Sequence, residues 1–161
     1  MSEISVRLPD GSAKAVPDGA TLADVAASIG AGLAKAALAG KINSVAVDLD
    51  SPVSDGDNVE IITSKSPEAL TLLRHSAAHI MAQAIQELYP GAQFGIGPAI
   101  EDGFYYDIEI GRPVTPDDLT AIEERMQAIV AEARSFTRRE VSLNEALEIM
   151  SDQPLKLELI N

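Results

Sequence analysis

SPEALTLLRHSAAHIMAQAIQELYP, residues 66–90, is the longest uninterrupted helical pattern in the chain. Ser66 suits an N-cap, Pro67 the first helical position, and Glu68 the positive end of the helix dipole. Leu70, Leu73, Ala77, Ile80, Ala84 and Leu88 recur at spacings of three and four and predict one apolar stripe. Tyr89-Pro90-Gly91 is expected to stop the helix. His75 and His79, the only two histidines, lie four residues apart and so on one face. Any chemistry is expected on that face.

Upstream of this helix the pattern changes to short alternating segments. Ile4, Val6 and Leu8 fall on one side of a predicted strand, Pro9-Asp10-Gly11-Ser12 forms a turn, and Ala13 to Val16 returns to complete a hairpin. Thr21, with Asp24 three residues on, caps a short helix through Ile29, which Gly30 and Gly32 end. Leu33 to Ile42 reads either as helix, by composition, or as a strand near Ala37 to Lys41. Val45 and Val47, then Val59, Ile61 and Thr63, predict two further strands. These residues describe a small α+β roll around one helix, with a boundary in the polar run Thr63 to Pro67. That gives a first domain of residues 1–64 and a second of residues 65–161.

Downstream, Gln93 to Ile110 predicts two strands joined at Glu101-Asp102-Gly103. Gly95, Gly97 and Pro98 in the first of them suggest a bulge or a close backbone approach. Thr115-Pro116-Asp117-Asp118 starts a helix with a stripe of Leu119, Ile122, Met126, Ile129 and Val130, running to about Arg134. Phe136 to Val141, carrying Arg138 and Arg139, is expected as a strand. Ser142 and Glu145 open a short helix through Met150, and Leu155, Leu157 and Leu159 alternate as a last strand. A well-alternating strand followed at once by Asn161 suggests a fragment.

The totals narrow the function. The 161 residues hold 25 acids and 12 bases, a net charge of −13, and both halves are acidic. Such a surface does not suit tight, non-specific nucleic-acid binding, which depends on neutralising phosphates, so an RNA partner would need a local basic cluster. Cysteine is absent, which removes disulfides, thiolate metal sites and thiol nucleophiles. No apolar run approaches the roughly 20 residues of a membrane span. MSEISVRLPDG has neither a basic n-region nor an apolar h-region, so no signal peptide is expected. A cytoplasmic protein is the expectation.

The candidate residues each carry two readings. His75 and His79 could converge on one metal or one water, with small neighbours such as Ser76, Ala77 and Ala78 leaving room; the plainer reading is two helix-surface or partly buried histidines. As metal ligands the pair would need carboxylates such as Asp107 to complete a shell. In Phe104-Tyr105-Tyr106-Asp107, alternation sets Tyr105 and Asp107 on one face and Phe104 and Tyr106 on the other. That strand is either a packed wall or a platform supplying a hydroxyl. Arg138, Arg139 and Lys156 are candidate contacts to phosphate or carboxylate.

RHSAAHIMAQAI (74–85), FGIGPAIEDGFYYD (94–107) and TPDDLTAIEERM (115–126) closely resemble the start of the editing domain of bacterial threonyl-tRNA synthetases. LPDGS, DVA and LAKAALAGKIN in the first 64 residues resemble the β-grasp TGS domain that opens the same enzymes. The resemblance covers essentially the whole chain and implies a TGS β-grasp domain followed by an incomplete α+β editing domain, of the kind shared by threonyl- and alanyl-tRNA synthetases. A long histidine-bearing helix would pack there against an antiparallel sheet. It implies that the parent enzyme joins threonine to its tRNA with ATP and Mg, using zinc in a class II catalytic domain outside these residues, and forms a homodimer through domains not present here. It implies hydrolysis of tRNA mischarged with serine, which differs from threonine by one methyl, a difference that a single binding pocket discriminates only about 10–200-fold. By the same resemblance His75, His79, Tyr106 and Lys156 would line the editing cleft around the 3′ end of the tRNA for threonine. The family's downstream C-x-x-x-H would complete it, and without that motif the fragment is expected to be weak or inactive. The alternative is a non-catalytic, TGS-containing regulatory or ribosome- and RNA-binding module.

Overall fold

The computed structural model describes residues 2–160 apart from Ser135, Phe136 and Arg138. The chain divides into two compact units, Met1–Leu70 and Thr71–Asn161.

In the first unit β1 (Glu3–Arg7) and β2 (Ala13–Pro17) form an antiparallel hairpin with Ile4 opposite Val16 and Val6 opposite Lys14. Thr21 caps α1 (Leu22–Ile29) in a reciprocal box with Asp24, as its spacing predicts. The ambiguous stretch resolves into both alternatives, with α2 over Ala31–Ala36 and β3 over Ala37–Ile42. β4 (Val45–Val47) and β5 (Val59–Thr63) pair antiparallel on either side of β3. A parallel bridge between Arg7 and Asn58 joins the hairpin to the run that enters β5. Val6, Val16, Leu22, Val25 and Val59, which period-two and period-3.6 alternation aim inward, close the core together with Val53 from the loop before β5. Gly40 belongs to this packing, since a Cβ there would lie 2.8 Å from Leu22 Cδ1 and 2.9 Å from Glu60 O.

In the second unit α3 runs over Ala69–Leu88. It starts later than its sequence suggests, because Ser66 is used in a turn: its hydroxyl accepts from Thr63 N, and its own N–H donates to Thr63 O. The expected stripe is buried only in part. Ala84 is buried, as are Ala78 and Ile85 outside the stripe, whereas Leu70 and Leu73 are about half exposed. α3 packs through Ala84 and Ile85 against Phe94, Ile122 and Ile129.

The glycine-rich segment is a nested pair of short ladders. β6 (Gln93–Phe94) pairs with β9 (Ile108–Glu109), and β7 (Ala99–Ile100) with β8 (Gly103–Phe104) at the tip. Arg74 holds that tip by donating to the carbonyls of Ile100 and Glu101. Thr115 caps α4 (Pro116–Ala131) in a second reciprocal box, with Asp118. Asp118 also accepts from Tyr89 Oη at 2.6 Å and from both Arg112 terminal nitrogens at 2.7 Å, tying the end of α3 to the start of α4. Of the stripe expected on α4, Ile122 and Ile129 are buried, but Leu119 and Val130 face out.

Two expected strands are corrected. Thr137 and Arg139–Val141 carry no strand, and Ser135, Phe136 and Arg138 lie outside the described residues. Leu155 to Leu159 is helix α6 (Pro154–Ile160), following α5 (Leu143–Ile149). Alternation over five residues cannot separate the two periods, and Leu, Lys and Glu are helix formers placed here behind a proline at the first position.

Candidate functional site

His75 and His79 stack one turn apart on α3, with Nε2 atoms 3.0 Å apart and rings edge-on at 79°. At that distance one Nε2–H donates to the other's lone pair, so the facing nitrogens share a single proton. Burial holds the His79 imidazole below its ordinary value, and the charges of His75 and Lys156 push it the same way. Both effects favour the neutral form of His79, which can accept a hydrogen bond.

Tyr106 sits where the two ladders are interrupted. Gly95 N donates to Asp107 O and Asp107 N to Ile96 O, leaving Gly97 opposite the Tyr106 ring. A Cβ on Gly97 would lie 2.6 Å from Tyr106 Cε2 and 2.7 Å from Cγ, so only glycine admits the ring in this position. Phe94 meets the same ring edge-on, with centroids 5.9 Å apart.

Lys156 reaches the site from α6 rather than from a strand. Its Nζ donates to Gly95 O at 2.7 Å and to Tyr106 Oη at 3.3 Å, and lies 5.5 Å from the Tyr106 ring centroid. Because the Tyr106 oxygen accepts from Lys156, its own O–H can point into the cleft. The structure therefore brings His75, His79, Tyr106 and Lys156 around one cleft of about 390 Å³, walled also by Ala78, Ile96, Gly97 and Pro98. Convergence of titratable groups on a concave, largely apolar wall is the usual form of a small-molecule or ester site.

Other candidates do not join it. Tyr105 is 46% exposed, and neither it nor Asp107 lines the cleft. Arg139 pairs with Glu145 at 3.3 Å. Among the described residues no group of three or more His, Cys, Asp or Glu could hold a metal ion, so the histidine pair offers two nitrogen ligands without the carboxylate that a fuller shell would need. Gly97 had a sequence signal, the glycine cluster before GFYYD. Pro98 belonged to the same signal, and Ile96 had none beyond its neighbours.

The sequence matches the TGS domain profile over residues 4–63. Along its whole length the chain is 55% identical to a threonine–tRNA ligase from Pelobacter propionicus, covering 26% of that protein. It is 52% identical over 99% of its length to one from a Geobacter species, again covering 26%, and 50% identical over 98% to one from Enterococcus faecalis, covering 24%. The chain thus spans about a quarter of the length of the curated relatives it matches. Residues 4–63 are a TGS domain, and the chain as a whole is related to the TGS-bearing quarter of the bacterial threonine–tRNA ligases.

Proposed function

We propose that residues 65–161 are the first part of an editing domain that hydrolyses the ester of tRNA mischarged with serine, within a parent enzyme that ligates threonine to its tRNA. The observation that carries this reading is the convergence of His75, His79, Tyr106 and Lys156 on one cleft. For a water to stand between the two Nε2 atoms, their 3.0 Å hydrogen bond must open; the water would then donate to one nitrogen and accept from the other, so the opened pair would both orient and activate it. Tyr106 O–H and the Lys156 ammonium line the same cleft and would donate to the oxygen on which charge develops during attack. Glycine at 95 and 97 lets the wall approach closely, which suits a site that selects by bulk.

The partners in this reading are the 3′ end of the tRNA for threonine and the remainder of the ligase chain. ATP, Mg and zinc serve the parent's catalytic domain, which forms a homodimer in the cytoplasm. An acidic chain depends on those other domains for most of its grip on RNA. Among the described residues no helix is long and apolar enough to cross a membrane.

The test is release of serine from seryl-tRNA for threonine by residues 1–161 and by a longer chain that continues through the family's C-x-x-x-H, each with and without His75→Ala. The expected result is activity in the longer chain that falls by about 10²–10⁴ with the substitution, the range for loss of a general acid–base group. An active longer chain indifferent to His75→Ala refutes the role given to the helix face. A longer chain that binds tRNA but never hydrolyses it favours the non-catalytic TGS module.

A further inference from the structure

Helix α6 carries Lys156 into the cleft, yet none of its residues is fully buried. Its seat is polar. Gln93 Nε2 donates to Asp152 O at 3.2 Å, and at Gln153 the side chain takes over. Gln153 is 8% exposed, its Nε2 donates to Ala92 O at 3.1 Å, and its Oε1 accepts from Phe94 N at 3.1 Å. Ala92 and Phe94 are two apart in an extended run, so that carbonyl and that N–H point to the same side of β6. β6 pairs with β9 along its other edge. The Gln153 amide therefore stands in for one peptide unit of a strand that is not there.

Gln153 also begins α6. Its carbonyl accepts from Lys156 N at 2.9 Å and from Leu157 N at 3.1 Å, which places Lys156 one turn on and facing the same strand. Along that strand Ala92 O, Phe94 N and Gly95 O are taken in turn by Gln153, Gln153 and Lys156.

We infer that Gln153 is a positioning residue: its side-chain amide, clamped to the backbone of β6 as a surrogate strand, fixes the Lys156 ammonium on Gly95 O and the Tyr106 hydroxyl. Neither sequence pattern nor charge marks Gln153 for this. The geometric part stands alone, and only its effect on turnover rests on the editing reading. A glutamate could accept from Phe94 N but could not donate to Ala92 O, so both halves of the amide matter.

The test has two arms. In the 161-residue chain, NMR cross-relaxation between the Lys156 ε-methylene and the Tyr106 ring is expected in the unsubstituted protein and lost in Gln153→Ala. Gln153→Glu, which keeps one of the two bonds, retains a weakened signal and guards against misreading a folding failure. In the longer chain, Gln153→Ala is expected to lower kcat for seryl-tRNA about tenfold with little change in KM. In a Lys156→Ala background it is expected to add less than about twofold, because one residue acts through the other. Persistence of the Lys156–Tyr106 signal in Gln153→Ala, or full additivity in the double variant, overturns the inference. If Lys156→Ala itself leaves hydrolysis unchanged while the signal is lost as expected, the editing reading fails and the positioning stands.

Discussion

Replacing Gly97 with alanine tests the site at its narrowest contact. The added Cβ would lie 2.6 Å from Tyr106 Cε2, whereas unbonded carbons settle at about 3.5–4.0 Å. Ring or backbone must therefore give by roughly 1 Å. The ring is hemmed by Phe94 on one side and by Lys156 on its hydroxyl, so its easiest path breaks the 3.3 Å bond from Lys156 Nζ. Forced repacking of this kind costs about 1–3 kcal/mol. A misplacement near 1 Å in a reacting site costs on the order of 10²-fold in rate. The expected outcome is a midpoint shift in urea unfolding, followed by far-UV circular dichroism, together with a hydrolysis loss well beyond what the destabilisation explains. Gly30→Ala is the control, since nothing lies within 4 Å of a Cβ there. If Gly97→Ala stays within about 0.5 kcal/mol of the parent and turns over normally, the cleft does not depend on where the Tyr106 ring sits.

Three further outcomes follow from the same geometry. Histidine NMR should find His79 titrating below the ordinary imidazole value, and Lys156→Ala should move it upward; a midpoint at or above the ordinary value contradicts the packing around it. The hydrogen bonds from Arg112, Tyr89 and Thr115 hold the Asp118 carboxyl far below the usual carboxylate range, so its contribution to stability is complete above about pH 4 and lost as pH falls below it. Asp118→Asn should accordingly be less stable than the parent at pH 7, with the gap narrowing in acid; a gap that does not change with pH is the contrary result. In the TGS domain Gly32→Ala, inside α2 with open space around it, should stabilise by about 0.4–1 kcal/mol, whereas Gly40→Ala, aimed at Leu22 and Glu60 O, should destabilise; chemical denaturation of each reads the sign.

What could be read from sequence was what is decided locally. The caps at Thr21 and Thr115 form over three residues with a partner supplied by the same turn, and both are present with their acids reciprocating. The β1–β2 hairpin and its inward valines follow from a turn and a two-residue period. The last helix was missed because Leu155, Leu157 and Leu159 fit a strand, and only the proline before them argued otherwise. On α3 the expected stripe holds at Ala84 and fails at its leucines: Leu70 and Leu73 are large but half exposed, while the small Ala84, with Ala78 outside the stripe, carries the close packing. The lining of the candidate cleft was legible through His75, His79 and the GFYYD motif, and Lys156 through resemblance rather than through its misassigned strand. Gln153 was not legible, because its partners are backbone atoms about sixty residues away and any strand would offer the same ones.

The polar seat of α6 also bears on how long the cleft exists as such. A segment held by a few hydrogen bonds, with no fully buried side chain, belongs to the low end of the local-opening scale, whereas the α3–α4 core opens only with the unit. Amide exchange at Phe94 should therefore be governed by departure of the final helix rather than by global unfolding. Each such excursion withdraws the ammonium and returns Gly95 O to solvent, with the histidines still in register. On the editing reading, the fraction of molecules ready to react would be set by the occupancy of this one latch, and a partner that pressed on α6 would raise the rate without touching any reacting atom.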